Sequence, residues 1–121
     1  MKYAYFDSDP FVEILIKDQH GSWISFLMYV DSGAFTSVLT LADATDLGLN
    51  LEKGKHIDLQ GVGGSVSAYL HPVEIKIANK TLKIEVAFST SYETPRLLGR
   101  KGVFNHFTIC FNDTLKDLTF T

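Results

Sequence analysis

Phe26-Leu27-Met28-Tyr29-Val30-Asp31-Ser32-Gly33-Ala34-Phe35-Thr36-Ser37-Val38-Leu39 is the stretch on which the reading of this chain turns. An apolar run rich in aromatic and β-branched residues enters a short polar turn and a second such run leaves it, so the segment reads as strand, turn, strand. A lone carboxylate between two buried strands costs on the order of several kcal/mol unless something partners it. Asp31 therefore reads as functional rather than incidental. One carboxylate does not easily both give and take a proton, whereas two sharing one proton can. The chain holds one such motif, so the second copy is expected from a second identical chain, in a homodimer. The plainer reading of Asp31-Ser32-Gly33 is an ordinary Asx or ST turn, which the residue types by themselves also allow.

Outward from this motif, most segments alternate with period two. Phe11 to Lys17 and Ser22 to Val30 are expected strands joined by Asp18-Gln19-His20-Gly21, and Thr36 to Leu39 a short strand after the aspartate turn. Thr40, with Asp43 three residues on, has the form of a helix N-cap, and Gly48 is placed to stop a helix over Ala42 to Leu47. Lys55 to Gln60 and Ser65 to Leu70 flank Gly61-Val62-Gly63-Gly64, a glycine-rich hairpin tip. Val73 to Ala78 and Thr81 to Phe88 form another hairpin around Asn79-Lys80. Leu97-Leu98 meets Gly99, with a short helix expected from Arg100 to His106. Phe107 to Phe111 and Leu115 to Phe120 close the chain around Asn112-Asp113-Thr114. The sum is an all-β fold with one or two short helices.

The 121 residues suit a single domain, 1–121, with no repeat or linker. A hydrophobic share of 45% with 21% charged residues argues for a folded globule rather than disorder. Net charge is −3 and the Lys and Arg residues are scattered, so the footprint of a nucleic-acid binder is missing. No apolar run approaches the roughly 18 residues of a membrane span, and the first residues carry no long apolar stretch; no membrane partner and a cytoplasmic location are expected. Cys110 is the only cysteine, which rules out an intrachain disulfide and leaves a small core residue as the expectation. His20, His56, His71 and His106 have no local ligand spacing and read as turn or surface residues, so neither metal nor cofactor is expected. Gly61 to Gly64 lacks the following helix and Lys of a phosphate cradle. Trp23 and the phenylalanines read as core. Asp43 and Asp46 read as capping and solvated-face residues, and Asp7 and Asp9 as members of an exposed turn.

Three separated features resemble the retropepsin family, the single-domain aspartic proteases known from retroviruses and from cellular proteomes. They are the run Phe26 to Ala34, the hairpin tip Gly61 to Gly64, and Leu97-Leu98-Gly99 before a short helix. The resemblance covers roughly residues 11 to 120. Its last part, Leu98-Gly99-Arg100 with Val103, Phe104 and Phe107 and then two strands, is more similar to cellular and retrotransposon members than to viral ones. It implies a single-domain acid-protease barrel with the active site at a homodimer interface. Asp31 would be the catalytic residue; Ser32, Gly33 and Ala34 would support its turn. Gly61, Val62, Gly63 and Gly64 would form a flap over an extended peptide or unfolded-protein substrate, and Leu97, Leu98, Gly99 and Arg100 the late motif. Val38, Val62 and Leu98 would wall the pockets. Viral members place an acid two residues after the motif glycine, paired with the Arg after the late Gly. Here Phe35 holds that position, so Arg100 is left to find Asp113 or Asp117, to serve the substrate, or to stay solvated. The resemblance thus implies an aspartic endopeptidase, or alternatively a catalytically weak or inactive dimeric module that binds peptides.

Overall fold

Alternating apolar residues in the computed structural model turn their side chains into one barrel interior; residues 1–61 and 63–121 are described. The strands are β1 (Lys2–Ala4), β2 (Phe11–Lys17), β3 (Trp23–Val30), β4 (Ser37–Leu39), β5 (Lys55–Gly61), β6 (Gly64–Ile77), β7 (Lys80–Ser89), β8 (Leu97–Leu98), β9 (Ile109–Asn112) and β10 (Asp117–Phe120). One helix, α1 (Leu41–Asp46), and two 3-10 turns, Leu51–Lys53 and Phe104–His106, complete the described residues. The strands run in the order β2-β3-β8-β4-β7-β6-β5, and a further pairing of β2 with β6 through Leu15↔Lys76 and Ile16↔Ile75 closes six of them into a barrel. A separate three-stranded sheet, β1-β10-β9, packs Leu118 and Phe120 against the barrel core.

Period-two burial explains the core. Val12, Ile14 and Ile16 of β2 face inward with Phe26, Met28 and Val30 of β3, Val73, Ile75 and Ile77 of β6, and Leu82, Ile84 and Val86 of β7. The all-β expectation is met, with differences that have physical causes. The expected strands Ser65 to Leu70 and Val73 to Ala78 are one 14-residue strand, β6, which ends at Ile77. Pro72 interrupts the pattern in sequence but not in space, because it falls between the β5 partners, which end at Leu70, and the β2 partners, which begin at Ile75. The following turn is Ala78-Asn79 rather than Asn79-Lys80; both residues have positive φ, 45° and 71°, as a two-residue hairpin turn with right-handed strand twist requires. The helix expected from Arg100 to His106 is only a 3-10 turn over Phe104–His106, preceded by Gly102 at φ 76°. Strand β1 had no distinct signal, being three residues that pair through β10 across nearly the whole chain.

Some side-chain expectations are corrected. Cys110 is exposed, not core: Ile109 packs toward the barrel, so its neighbour on the strand points away. Trp23 is half-buried at the barrel end, with Lys76 Nζ 4.3 Å and Lys17 Nζ 5.7 Å from its ring centroid. His71 is buried within β6, where Nε2 lies 2.8 Å from the Leu51 carbonyl oxygen.

Asp43 caps α1 as expected, but it is fully buried rather than solvated. Thr40 Oγ1 accepts from Asp43 N–H at 3.2 Å and Thr40 N–H donates to Asp43 Oδ2 at 3.0 Å, a reciprocal capping box. Arg96 then donates from Nε to Oδ2 at 3.0 Å and from Nη2 to Oδ1 at 2.9 Å. Burial pushes the Asp43 carboxyl up, but the Arg96 and Thr40 hydrogen bonds and the Arg96 charge outweigh it and hold the group below the usual carboxylate range. A folded value below the unfolded one means that this stabilisation is present above about pH 4 and fades as pH falls through the folded value. Arg96→Ala is expected to cost about 2 kcal/mol at neutral pH by stranding a buried carboxylate, less than for a fully enclosed pair because Arg96 is 44% exposed. Urea unfolding from pH 3 to 7 should show the gap between parent and variant narrowing below about pH 4.

Candidate active site

Asp31 follows the last residue of β3, and β4 begins six residues later, yet β3 and β4 are not neighbours. The two-residue strand β8 lies between them, parallel to β3 through Tyr29↔Leu97 and Val30↔Leu98, and antiparallel to β4 through Val38↔Leu97. The loop carrying the motif must therefore cross the end of β8, and hydrogen bonds hold it there. Asp31 N–H donates to the Leu98 carbonyl at 3.1 Å, Gly99 N–H to Ser37 Oγ at 2.9 Å, Arg100 N–H to the Ala34 carbonyl at 2.9 Å and Lys101 N–H to the Phe35 carbonyl at 2.8 Å. Gly99 is required by contact, since a Cβ there would meet the Thr36 carbonyl carbon at 2.7 Å and the Phe35 oxygen at 2.9 Å.

Within the loop, Gly33 N–H donates to Asp31 Oδ1 at 2.8 Å and Ala34 N–H to the Asp31 carbonyl at 3.2 Å. The carboxylate is half-buried and its turn partners Ser32 and Gly33 are exposed, so one side of the motif is open. On one flank, Asp31 and Ser32 share a cavity of about 320 Å³ with Tyr5, Asp9, Phe111 and Asp113. Tyr5 donates to Asp113 Oδ1 at 2.8 Å; burial and then the Asp113 carboxylate push its hydroxyl up to about 12, so it stays a donor through the ordinary pH range. Nothing in the sequence places Tyr5 or Asp113 beside Asp31, because both come from the small terminal sheet and its turns. Ser37, the acceptor for Gly99, was likewise illegible as a support, lying 62 positions from its partner.

On the other flank, Gly33, Ala34 and Phe35 open onto a groove of about 660 Å³ whose wall is the β5–β6 hairpin, including Gly61, Gly63 and Gly64. The strands pair up to Gly61↔Gly64; Val62 lies outside the described residues. A second small apolar cluster, Val38, Ala68 and Ala87 with Ile57, Leu59, Leu70 and Leu97 against it, ties the hairpin base to β4 and β8. Val38 and Leu97 line the groove, but Leu98 does not: it is fully buried in the main core, because adjacent residues of a strand face opposite sides. Arg100 pairs with neither Asp113 nor Asp117, which are engaged by Tyr5 and Lys2. Its guanidinium carbon sits 5.6 Å from the ring centroid of Phe35, the residue at the position where viral members place an acid.

An aspartyl protease family model matches residues 17–101, a span that contains Asp31, the hairpin and Gly99-Arg100, so the chain belongs to the aspartyl protease family. A retropepsin-like aspartic protease from Rickettsia conorii has a similar structure, with a TM-score of 0.73 at 22% identity over 99% of this chain and 88% of that one. The EIAV protease complexed with the inhibitor HBY-793 is similar with a TM-score of 0.63 at 26% identity, over 83% of this chain and 89% of that one. No curated protein sequence matches. The family is that of the aspartyl proteases and the fold is retropepsin-like.

Gly99→Ala is expected to destabilise by about 2–3 kcal/mol, because the atoms its Cβ would strike are main chain and cannot rotate away. Urea unfolding reads the loss, and amide exchange at Asp31 and Arg100 should accelerate as the loop separates from β8.

Proposed function

We propose that the chain is a homodimeric aspartic endopeptidase in which Asp31 of each protomer meets on a two-fold axis. The observation that carries this reading is the Asp31 loop itself: a half-buried residue whose carboxylate accepts from Gly33 N–H and whose main chain is held to β8, open on one side and bordered by a groove with a hairpin wall. Membership of the aspartyl protease family supports it.

Two carboxylates a few ångströms apart share one proton. The ionised member takes a proton from a water between them as the water oxygen attacks the scissile carbonyl carbon, and the protonated member donates to the carbonyl oxygen. Collapse of the tetrahedral intermediate breaks the C–N bond as a proton passes to the leaving nitrogen. Ser32, exposed beside the carboxylate, is assigned to brace the two turns across the axis, and Gly33 allows close approach of substrate. Gly61, Gly63 and Gly64 are assigned to a flap that covers an extended peptide and excludes water; the peptide binds as an added strand with side chains alternating into pockets.

Asp31→Asn is expected to abolish cleavage of an unfolded-protein digest, read by mass spectrometry, while leaving the urea midpoint near that of the parent. The parent should show a bell-shaped pH–rate profile, and specific activity should fall on dilution as dimers dissociate. Cleavage surviving in Asp31→Asn would overturn the assignment. A second reading, a peptide-binding module without activity, is favoured by Phe35 standing beside an Arg100 that pairs no carboxylate among the described residues. It requires a dimeric parent that binds peptides without cutting them, and the same experiment decides between the two.

A further inference from the structure

We infer that Arg100, seated on the ring of the groove-lining Phe35, selects an acidic side chain in the bound peptide. This rests on the peptide-binding groove of the proposed function and names a substrate preference that the reading leaves open. Phe35 is 57% exposed and lines the groove. The Arg100 guanidinium carbon lies 5.6 Å and Lys101 Nζ 5.9 Å from its ring centroid, the range of cation–π contact. Both backbones are tied to groove-lining residues, because Arg100 N–H and Lys101 N–H donate to the Ala34 and Phe35 carbonyls.

The two cations differ in what they have left to offer. Lys101 Nζ is 3.1 Å from Glu85 Oε1, whereas Arg100 pairs no carboxylate among the described residues. An exposed guanidinium laid on an aromatic face keeps its planar fork of donors free, and that fork matches a carboxylate. The one charged side chain among the described residues that line the groove is Asp58 of β5, which repels an acid and leaves the Phe35 edge as the place for it. Phe35 lies four positions after Asp31, a Cα-to-Cα reach of at most about 14 Å, so the selected side chain is expected within about four residues of the bond at Asp31. In a two-fold dimer each half of the groove carries its own Phe35–Arg100 edge, and the preference falls on both sides of that bond.

The test uses N-acetylated, C-amidated peptides with an apolar centre and Glu, Gln or Lys placed in turn two, three and four residues from the centre on both sides. The caps remove terminal charges, so only the side chain is read. Binding to the Asp31→Asn protein is measured by fluorescence anisotropy, and cleavage by the parent is followed separately. At one of these positions the Glu peptide should bind about fivefold tighter than its Gln counterpart. Arg100→Gln should erase that ratio, Arg100→Glu should turn it toward Lys, and raising salt to about 0.5 M should shrink it. Equal binding of Glu and Gln peptides at every position, tighter binding of Lys, a ratio unchanged in Arg100→Gln, or no binding of any peptide would each overturn the inference. Cleavage without an acidic preference overturns this inference alone, whereas selective binding without cleavage upholds it and overturns only the peptidase reading.

Discussion

The wedge of Leu97-Leu98-Gly99 between the two strands that flank Asp31 is the contact on which the rest of the structure depends. With β3 and β4 kept apart, the loop between them cannot close as a tight hairpin turn, and it drapes over the end of β8 instead. Every anchor of the loop then comes from β8 or the residues just after it: Leu98 accepts from Asp31, and the N–H groups of Gly99, Arg100 and Lys101 bond back to Ser37, Ala34 and Phe35. The half-buried carboxylate is positioned by main chain more than by side chains, so its place depends on the register of the barrel.

The barrel supplies that register through burial. β7 is paired with β6 on one side and β4 on the other, and its last four residues, Val86 to Ser89, are all buried. Ala68 of β6 and Ala87 of β7 pack with Val38 and Leu97, two residues that line the groove. The hairpin wall and the Asp31 loop therefore share a floor. Arg96 adds a second tie. Its carbonyl accepts from Tyr29 N–H at 3.0 Å, holding β8 to β3, while its side chain grips Asp43 at the start of α1. One residue thus joins helix, wedge and the end of β3, and the buried charge at Asp43 is tolerated because its carboxylate accepts three hydrogen bonds, one from Thr40 N–H and two from Arg96.

Phe35 alters the charge pattern of the site. A carboxylate there could have neutralised Arg100; an aromatic ring holds the guanidinium by a cation–π contact, which takes up none of its N–H donors. With Phe35 in place of an acid, Arg100 pairs no carboxylate among the described residues.

Local chemistry was legible wherever it repeats within a few residues. The alternation of Val12, Ile14 and Ile16, the Thr40–Asp43 capping box, the glycine-rich hairpin tip and the strand-to-turn change at Asp31 are all statements about near neighbours, and the strands and helix lie where those signals put them. Misreadings arose where a residue's role depends on a distant partner. Pro72 looked like a strand end because its open side is set by where β5 stops and β2 begins; Asp43 looked solvated because Arg96 is 53 positions away; Cys110 looked buried because the direction of β9 depends on which of its residues meets the barrel. The sequence by itself determined the period of each strand and the residue types of the Asp31 loop and the late Leu-Leu-Gly, since sterics and hydrogen-bonding capacity belong to each residue. Only the tertiary structure decided that β8 separates β3 from β4 and that Arg100 stacks on Phe35. Both depend on long-range pairings whose energy is earned only after the barrel closes.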